Sequence, residues 1–186
     1  IITGMRYFEC YYDSNGAYLA AKTTIIVKNF KEDCNPYFLT GLLNSKTVFF
    51  YIRESFNALG IDGGINFSRD IVKSIPIPAS YKQADIQNPL ARISSWLLAL
   101  NGNNEEVSAF LERIIDAMVY ELYFPKEIQT ANCQVFKHLG NLTELKDDWS
   151  NKKKLTAIEK MYKELSKSAH PVSIAMAKMQ EVPEVK

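Results

Sequence analysis

Residues 34–46 read CNPYFLTGLLNSK, and what this stretch forms decides the fold of the first half of the chain. Asn35 has the short polar side chain of a helix cap, and Pro36 has the fixed φ of a first helical position. Tyr37 onward then reads as a first turn. Leu39, Leu42, Leu43, Val48, Phe49, Ile52 and Phe56 recur at helical spacing, so one long helix is predicted from Asn35 to near Gly60. Its residues are mostly apolar, which gives it a structural role.

Before this helix, Met5 to Tyr12 is rich in aromatics and reads as a strand. Asp13-Ser14-Asn15-Gly16 is a turn signal. Tyr18 to Lys28, with the β-branched run Thr23 to Val27, reads as a second strand. After the helix, Ile61 to Gly64 is a turn and Ile65 to Ile75 reads as extended. Ile75-Pro76-Ile77-Pro78 fits neither a helix interior nor a central strand. Beyond it the pattern changes. Ala84 to Leu100 and Glu105 to Phe124 are amphipathic helices split by Asn101-Gly102-Asn103-Asn104. In the second, Asp116 and Glu121 lie off the apolar stripe and read as part of a solvated face. Further helices are predicted over Lys126 to Leu139 and Leu142 to Ser166, with Leu155, Ile158, Tyr162 and Leu165 forming a seam for a partner helix. The expected fold is therefore α+β: a small mixed β-sheet and helix core over residues 1–80, then an all-helical extension over 81–186.

Composition narrows the class. A chain of 186 residues with 47% hydrophobic content holds a real core. It begins at Ile1 and reads as a piece of a longer protein. No apolar run approaches the ~18 residues of a membrane span, and no signal peptide is visible. Cys10, Cys34 and Cys133 are odd in number and far apart, which fits a reducing cytoplasm better than a disulfide scaffold. A net charge of +1 excludes a highly basic nucleic-acid binder; DNA contact would need a local patch or a larger parent protein.

Three chemical patterns stand out among the residues. Asn35-Pro36-Tyr37 is close to the Asn-Pro-Pro-Tyr loop of adenine-modifying DNA methyltransferases, in which the aromatic ring stacks on a flipped base. The second proline is missing, no glycine-rich donor loop accompanies it, and helix capping explains every residue. Glu144-Leu145-Lys146 has the Glu-x-Lys pattern of metal-dependent nucleases but lacks a placed upstream aspartate. Cys133 and His138 are one residue off a shared helix face, so a buried thiol and a surface histidine are the ordinary reading; His170 reads as a loop residue. What remains is recognition. Arg6, Lys22, Lys28, Asn29, Lys31, Arg53, Asn57, Asn66, Arg69 and Lys73 lie in the first half. Arg and Asn match guanine and adenine edges, and Lys suits phosphates; simple solvation is the alternative for each. Asn66, Ser68 and Arg69 form a polar cluster in an apolar stretch, with a salt bridge from Arg69 to Asp70 or Asp62 as the bland alternative.

Three segments in order resemble a known family. YFLTGLLNSKTVFFYI, Tyr37 to Ile52, is similar to the hallmark helix of the TaqI-like C-terminal specificity domain. GGINFSRDIVKSIPIP, Gly63 to Pro78, is similar to that domain's closing segment. IDAMVYELYFPKEI, Ile115 to Ile128, resembles the helix that follows it in single-chain type II restriction-modification enzymes. The resemblance covers most of Ile1 to Ile128; Gln129 to Lys186 matches loosely. It implies a cytoplasmic piece that selects duplex DNA and does no chemistry. An upstream adenine-specific methyltransferase domain, with or without an endonuclease, would use S-adenosylmethionine and magnesium, and this piece would need no cofactor. The expected DNA contacts are Arg6, Lys22, Lys28, Lys31, Arg53, Asn66, Ser68, Arg69 and Lys73. The rival expectation is a helical module that binds another protein through the Leu155 to Leu165 seam.

Overall fold

The computed structural model describes residues 1–3, 8–21, 24–56 and 67–185. The opening stretch behaves as its residues dictate. Asn35 is extended and its side-chain oxygen accepts the Tyr37 N–H at 2.9 Å; Pro36 follows as the first residue of α1 (Pro36–Leu43). The predicted long helix is in fact two. Ser45, extended at ψ 152°, restarts the chain as α2 (Lys46–Ser55), its Oγ accepting the Val48 N–H at 3.4 Å. The Ser45 hydroxyl also donates to Leu42 O at 2.7 Å, a local hydrogen bond that competes with helix continuation.

The expected α+β core is overturned: the chain is mostly helical. Among the described residues, strand is confined to β1 (Ile2–Thr3) and β2 (Thr24–Ile25), one antiparallel pairing of two residues each. Between them, Phe8 to Tyr12 makes a single bridge, Cys10 to Ile2. A side chain explains why no further strand adds there. The Asn44 carboxamide accepts the Cys10 N–H at 2.7 Å and donates to the Cys10 carbonyl at 2.8 Å. It occupies the hydrogen-bonding positions a neighbouring strand would take. The aromatic residues of this region pack on one another instead of on a sheet face: Tyr12 meets Tyr37 and Phe30 edge-on, and Tyr11 meets Tyr18. The turn expected at Ile61 to Gly64 lies outside the described residues, as does the start of the extended segment expected at Ile65 to Ile75; the described part of that segment is corrected to helix. Ser68 accepts the Ile71 N–H at 3.2 Å and caps α3 (Arg69–Ser74).

The long helices α4 (Ala84–Leu100) and α5 (Glu105–Tyr123) form where the sequence placed them. Asn101 at φ 47° and Asn104 at φ 65° turn the chain between them, and Asn104 caps α5 through the Val107 N–H at 3.3 Å. Gly41 on α1 sits directly against Ser94 and Leu90 on α4; the missing side chain lets the two helix backbones approach. Leu42, Ile52, Leu90, Trp96, Leu111, Ile114 and Met118 are fully buried in one continuous apolar cluster. Burying side chains of this size supplies about 1.5–3 kcal/mol each before the entropy cost of ordering them.

The tail departs from expectation. Pro125 opens the short helix α6 (Pro125–Thr130), which is followed by a 3-10 turn at Phe136–His138. Leu142 to Ser150 is an irregular strap rather than helix, because α4 side chains claim its carbonyls. Trp96 Nε1 donates to Thr143 O at 2.9 Å and Arg92 to Leu142 O at 3.2 Å. Ser150 then caps α7 (Asn151–Leu165). His170, read as a loop residue, caps α8 (Pro171–Met179) by accepting the Val172 N–H at 3.2 Å. The Leu155 to Leu165 seam faces the chain's own core: Ile158 and Leu165 are buried, and the Tyr162 ring lies 5.3 Å from that of Phe110 on α5. No helix of the described residues is long and apolar enough to cross a membrane.

Candidate nucleic-acid interface

Three of the nine expected DNA contacts, Arg6, Lys22 and Asn66, lie outside the described residues, as does Asn57. The other six divide into two groups. Lys28 and Lys31 are exposed on the irregular segment before α1 and make no ion pair with a described residue. Lys28 borders a cleft of ≈ 370 Å³ with Tyr18, Leu19, Ile26 and Phe30. These apolar neighbours are themselves exposed, Tyr18 by 61% and Leu19 fully.

The second group sits on α2 and α3. The Tyr51 hydroxyl donates to the Ser74 carbonyl at 3.2 Å and joins the two helices. That link sets the C-terminal half of α2, which carries Arg53, beside the end of α3, which carries Lys73. The Tyr123 hydroxyl of α5 donates to Pro76 O at 2.5 Å and fixes the exit segment; burial pushes that phenol up to about 12, so it stays a donor. Arg53 stacks 5.5 Å above the Phe50 ring and meets Glu54 at 3.0 Å. Phe50 is 57% exposed, and an aromatic face with a guanidinium on it suits a base or sugar as well as it suits water. Ser68 gives its hydroxyl oxygen to the α3 cap. Arg69 occupies the first position of α3, is exposed, and pairs with no described residue; Asp70 does not hold it. A cation at a helix N-terminus opposes the helix dipole by a few tenths of a kcal/mol, so local helix energetics do not favour it there.

Some polar residues of the sequence serve positions rather than a ligand. Asn35 spends its carboxamide on the α1 cap, and its own N–H goes to Gln87 Oε1. Gln87 is buried on α4 and also donates to Asp33 O at 3.0 Å and Tyr81 O at 2.9 Å. Tyr37 is edge-on to Tyr12 at 4.9 Å. The stretch that resembles a catalytic loop is thus built into a helix start. Glu144 pairs with Arg92 at 3.5 Å. Asp116 and Glu121, read as members of a solvated face, turn inward. Asp116 accepts the Lys46 N–H at 2.8 Å at the start of α2, with the Lys46 ammonium at 3.4 Å. Glu121 accepts the Val135 and Phe136 N–H groups at 2.5 and 3.1 Å. Burial holds both carboxyls above their usual range against these hydrogen bonds. No group of three or more His, Cys, Asp or Glu among the described residues is placed to hold a metal.

Sequence reasoning missed Phe50, Gln87 and the inward role of Asp116. Phe50 was legible, since it falls off the Val48 and Ile52 stripe of α2. The other two needed the partner backbone, which lies 52 and 70 residues away in the chain.

No family model matches the chain, and no solved structure matches it significantly. A protein of Methanocaldococcus jannaschii, provisionally named a type II restriction enzyme and methyltransferase, is 36% identical to it over 99 residues. That match takes in 50% of this chain and 8% of the relative.

Proposed function

We propose that this chain is the DNA target-recognition part of a restriction-modification protein, of the TaqI-like specificity type. It holds duplex DNA and selects its sequence, and methyl transfer to adenine takes place in an upstream domain of the same protein. The observation that carries the reading is the 36% identity over 99 residues with a relative named as both restriction enzyme and methyltransferase, of which the match spans 8%. Arg69, which pairs with no described residue, Lys73 on the same helix and the Arg53–Phe50 stack on α2 are the groups that would supply base and phosphate contacts. S-adenosylmethionine and magnesium belong to the other domains in this reading. Among the described residues, the glycine nearest the Asn-Pro stretch, Gly41, is closed over by Ser94 and Leu90. The working compartment is the cytoplasm. The rival module that binds protein through the Leu155 to Leu165 seam loses its surface, because that seam is packed inside the chain.

The test is Arg69→Ala in the longer protein, with methylation measured across single-base variants of its site. A guanine-reading Arg69 costs ~1–3 kcal/mol when lost and relaxes one base position. A phosphate contact weakens all sequences alike and lowers the salt slope by about one. Unchanged methylation and unchanged salt slope remove Arg69 from the interface.

A further inference from the structure

The net charge of +1 hides an uneven distribution. Residues 151–167, which make up α7 and the turn after it, hold six of the 22 basic residues but two of the 21 acidic ones. This segment carries +4, and the rest of the chain carries −3. The face of α7 set by Leu155, Ile158 and Leu165 is spent on the core. The opposite face is exposed and lysine-rich. Lys152, Lys160, Lys163 and Lys167 are exposed and follow at steps of eight, three and four, with Thr156 filling the gap. Helical periodicity keeps Lys152, Lys160 and Lys163 on one stripe of α7, about 16 Å long, and Lys167 follows in the turn after the helix.

The arrangement is not what helix stability favours. Lys152, Lys153 and Lys154 all stand in the first turn of α7, where no acidic residue balances them. The positive end of the helix dipole repels each of them. Like charges at Lys160 and Lys163 repel along the helix at a step of three. Relief is slight. Lys167 pairs with Glu164 at 2.5 Å, and Lys153 lies 4.3 Å above the Trp149 ring. Glu159 is the other acid of the segment, and Asp147 and Asp148 precede the helix. Lys152, Lys160 and Lys163 have no ion pair with a described residue. By contrast α5 opens with Glu105 and Glu106, as the dipole prefers.

We infer that the exposed lysine face of α7 is a second DNA-contacting surface that grips the phosphate backbone without reading sequence. A stripe of ~16 Å matches roughly five base-pair steps of duplex at ~3.4 Å each. The inference rests on the target-recognition reading for its choice of polyanion. It adds that positioning and sequence selection are divided between two surfaces, α7 for the former and α2–α3 for the latter.

The experiment uses the 186-residue chain and a fluorescein-labelled 20-base-pair duplex of arbitrary sequence, with binding followed by anisotropy from low to moderate salt. Lys152→Gln, Lys160→Gln and Lys163→Gln together should cut affinity roughly ten-fold or more and lower the log–log salt slope by about three, since each phosphate contact contributes ~0.9. The triple Lys→Arg variant should restore both, and unchanged helical circular dichroism shows that the fold survives. An unchanged slope in the Gln variant overturns the inference, as does failure of the wild-type chain to bind at low salt. Tighter binding to duplex RNA of the same length overturns the choice of DNA. Failure of the two ideas is separable. If α2–α3 variants weaken binding and α7 variants do not, this inference falls and target recognition stands. If α7 variants weaken binding while Arg69→Ala leaves site preference untouched in the longer protein, target recognition through Arg69 falls and the α7 contact stands.

Discussion

Adding one methyl group at Gly41 should loosen the contact that holds the first half of the chain to the second. A Cβ at this position falls 2.1 Å from Ser94 Oγ, 2.8 Å from Leu90 Cδ2 and 3.4 Å from Ser94 Cβ. Neither neighbour has free space. Ser94 is 3% exposed and Leu90 fully buried, and the Ser94 hydroxyl donates to Leu90 O at 2.8 Å. Overpacking of a filled core costs about 1–3 kcal/mol. Replacing a mid-helix glycine by alanine returns about 0.5–1 kcal/mol. The packing term is the larger, so Gly41→Ala should lose about 1–2 kcal/mol. For a chain of this size that is a fall in Tm of roughly 2–8 °C, read by thermal melting with urea midpoints alongside. Ser94→Ala removes the 2.1 Å contact at little cost, because Leu90 O keeps its helical partner. The double variant should therefore recover most of the loss and show a coupling of about 1 kcal/mol. A Gly41→Ala protein that melts at or above wild type refutes the close approach of α1 and α4.

Other outcomes follow from the same geometry. Gln87→Ala strands the Asn35 N–H and the carbonyls of Asp33 and Tyr81, and should cost about 1–3 kcal/mol in urea denaturation; a near-neutral result would mean that Gln87 does not hold the start of α1. Asp116→Ala removes the acceptor at the head of α2 and should lose about 1 kcal/mol, whereas Asp116→Asn keeps an acceptor and should lose less. Because burial raises the Asp116 carboxyl, the native state holds that proton more tightly than the unfolded chain. Its contribution therefore falls as pH rises from the ordinary aspartate range through the raised native value, then levels off. Stability of wild type relative to Asp116→Asn, measured across that window, should decline with rising pH, and an increase would contradict the burial. The chain alone, incubated with duplex DNA, methyl donor and magnesium, should neither methylate nor cut; activity that co-purifies with it through denaturation and refolding would end the division of labour proposed above.

How much was legible depended on whether a signal was local. Asn35-Pro36 gave the start of α1, and the Asn101 to Asn104 breaker gave the boundary between α4 and α5, because caps and left-handed turns are written in adjacent residues. The missing sheet was not legible. Aromatic and β-branched runs describe what a strand would accept, yet Asn44 filled the strand position beside Cys10 from 34 residues away. Ser68 reads as part of a polar surface cluster, although a serine three residues before an apolar pair also starts a helix. The Leu155 to Leu165 stripe announces a packing face, but periodicity does not name the surface that covers it, which is the chain's own core. Of the expected DNA contacts, Arg53 and Lys73 lie on helices joined through Tyr51, which the apolar helical pattern does not single out.

The inward carboxylates and the terminal tyrosine of α5 make that helix a ruler for the chain. Asp116 holds the head of α2, Glu121 holds the turn at Val135 and Phe136, and Tyr123 holds the exit at Pro76. These three grips fall within eight consecutive positions of one helix. A residue inserted among them would rotate everything beyond it by about 100° and slide it ~1.5 Å, so the grips could not all close at once. Length changes during divergence should therefore be rejected between Asp116 and Tyr123 and absorbed at the Asn101 to Asn104 turn, where the exposed backbone makes few commitments. Substitutions on the outer face of α2 disturb none of the three grips, which leaves that surface free to change while its distance from the core stays constant.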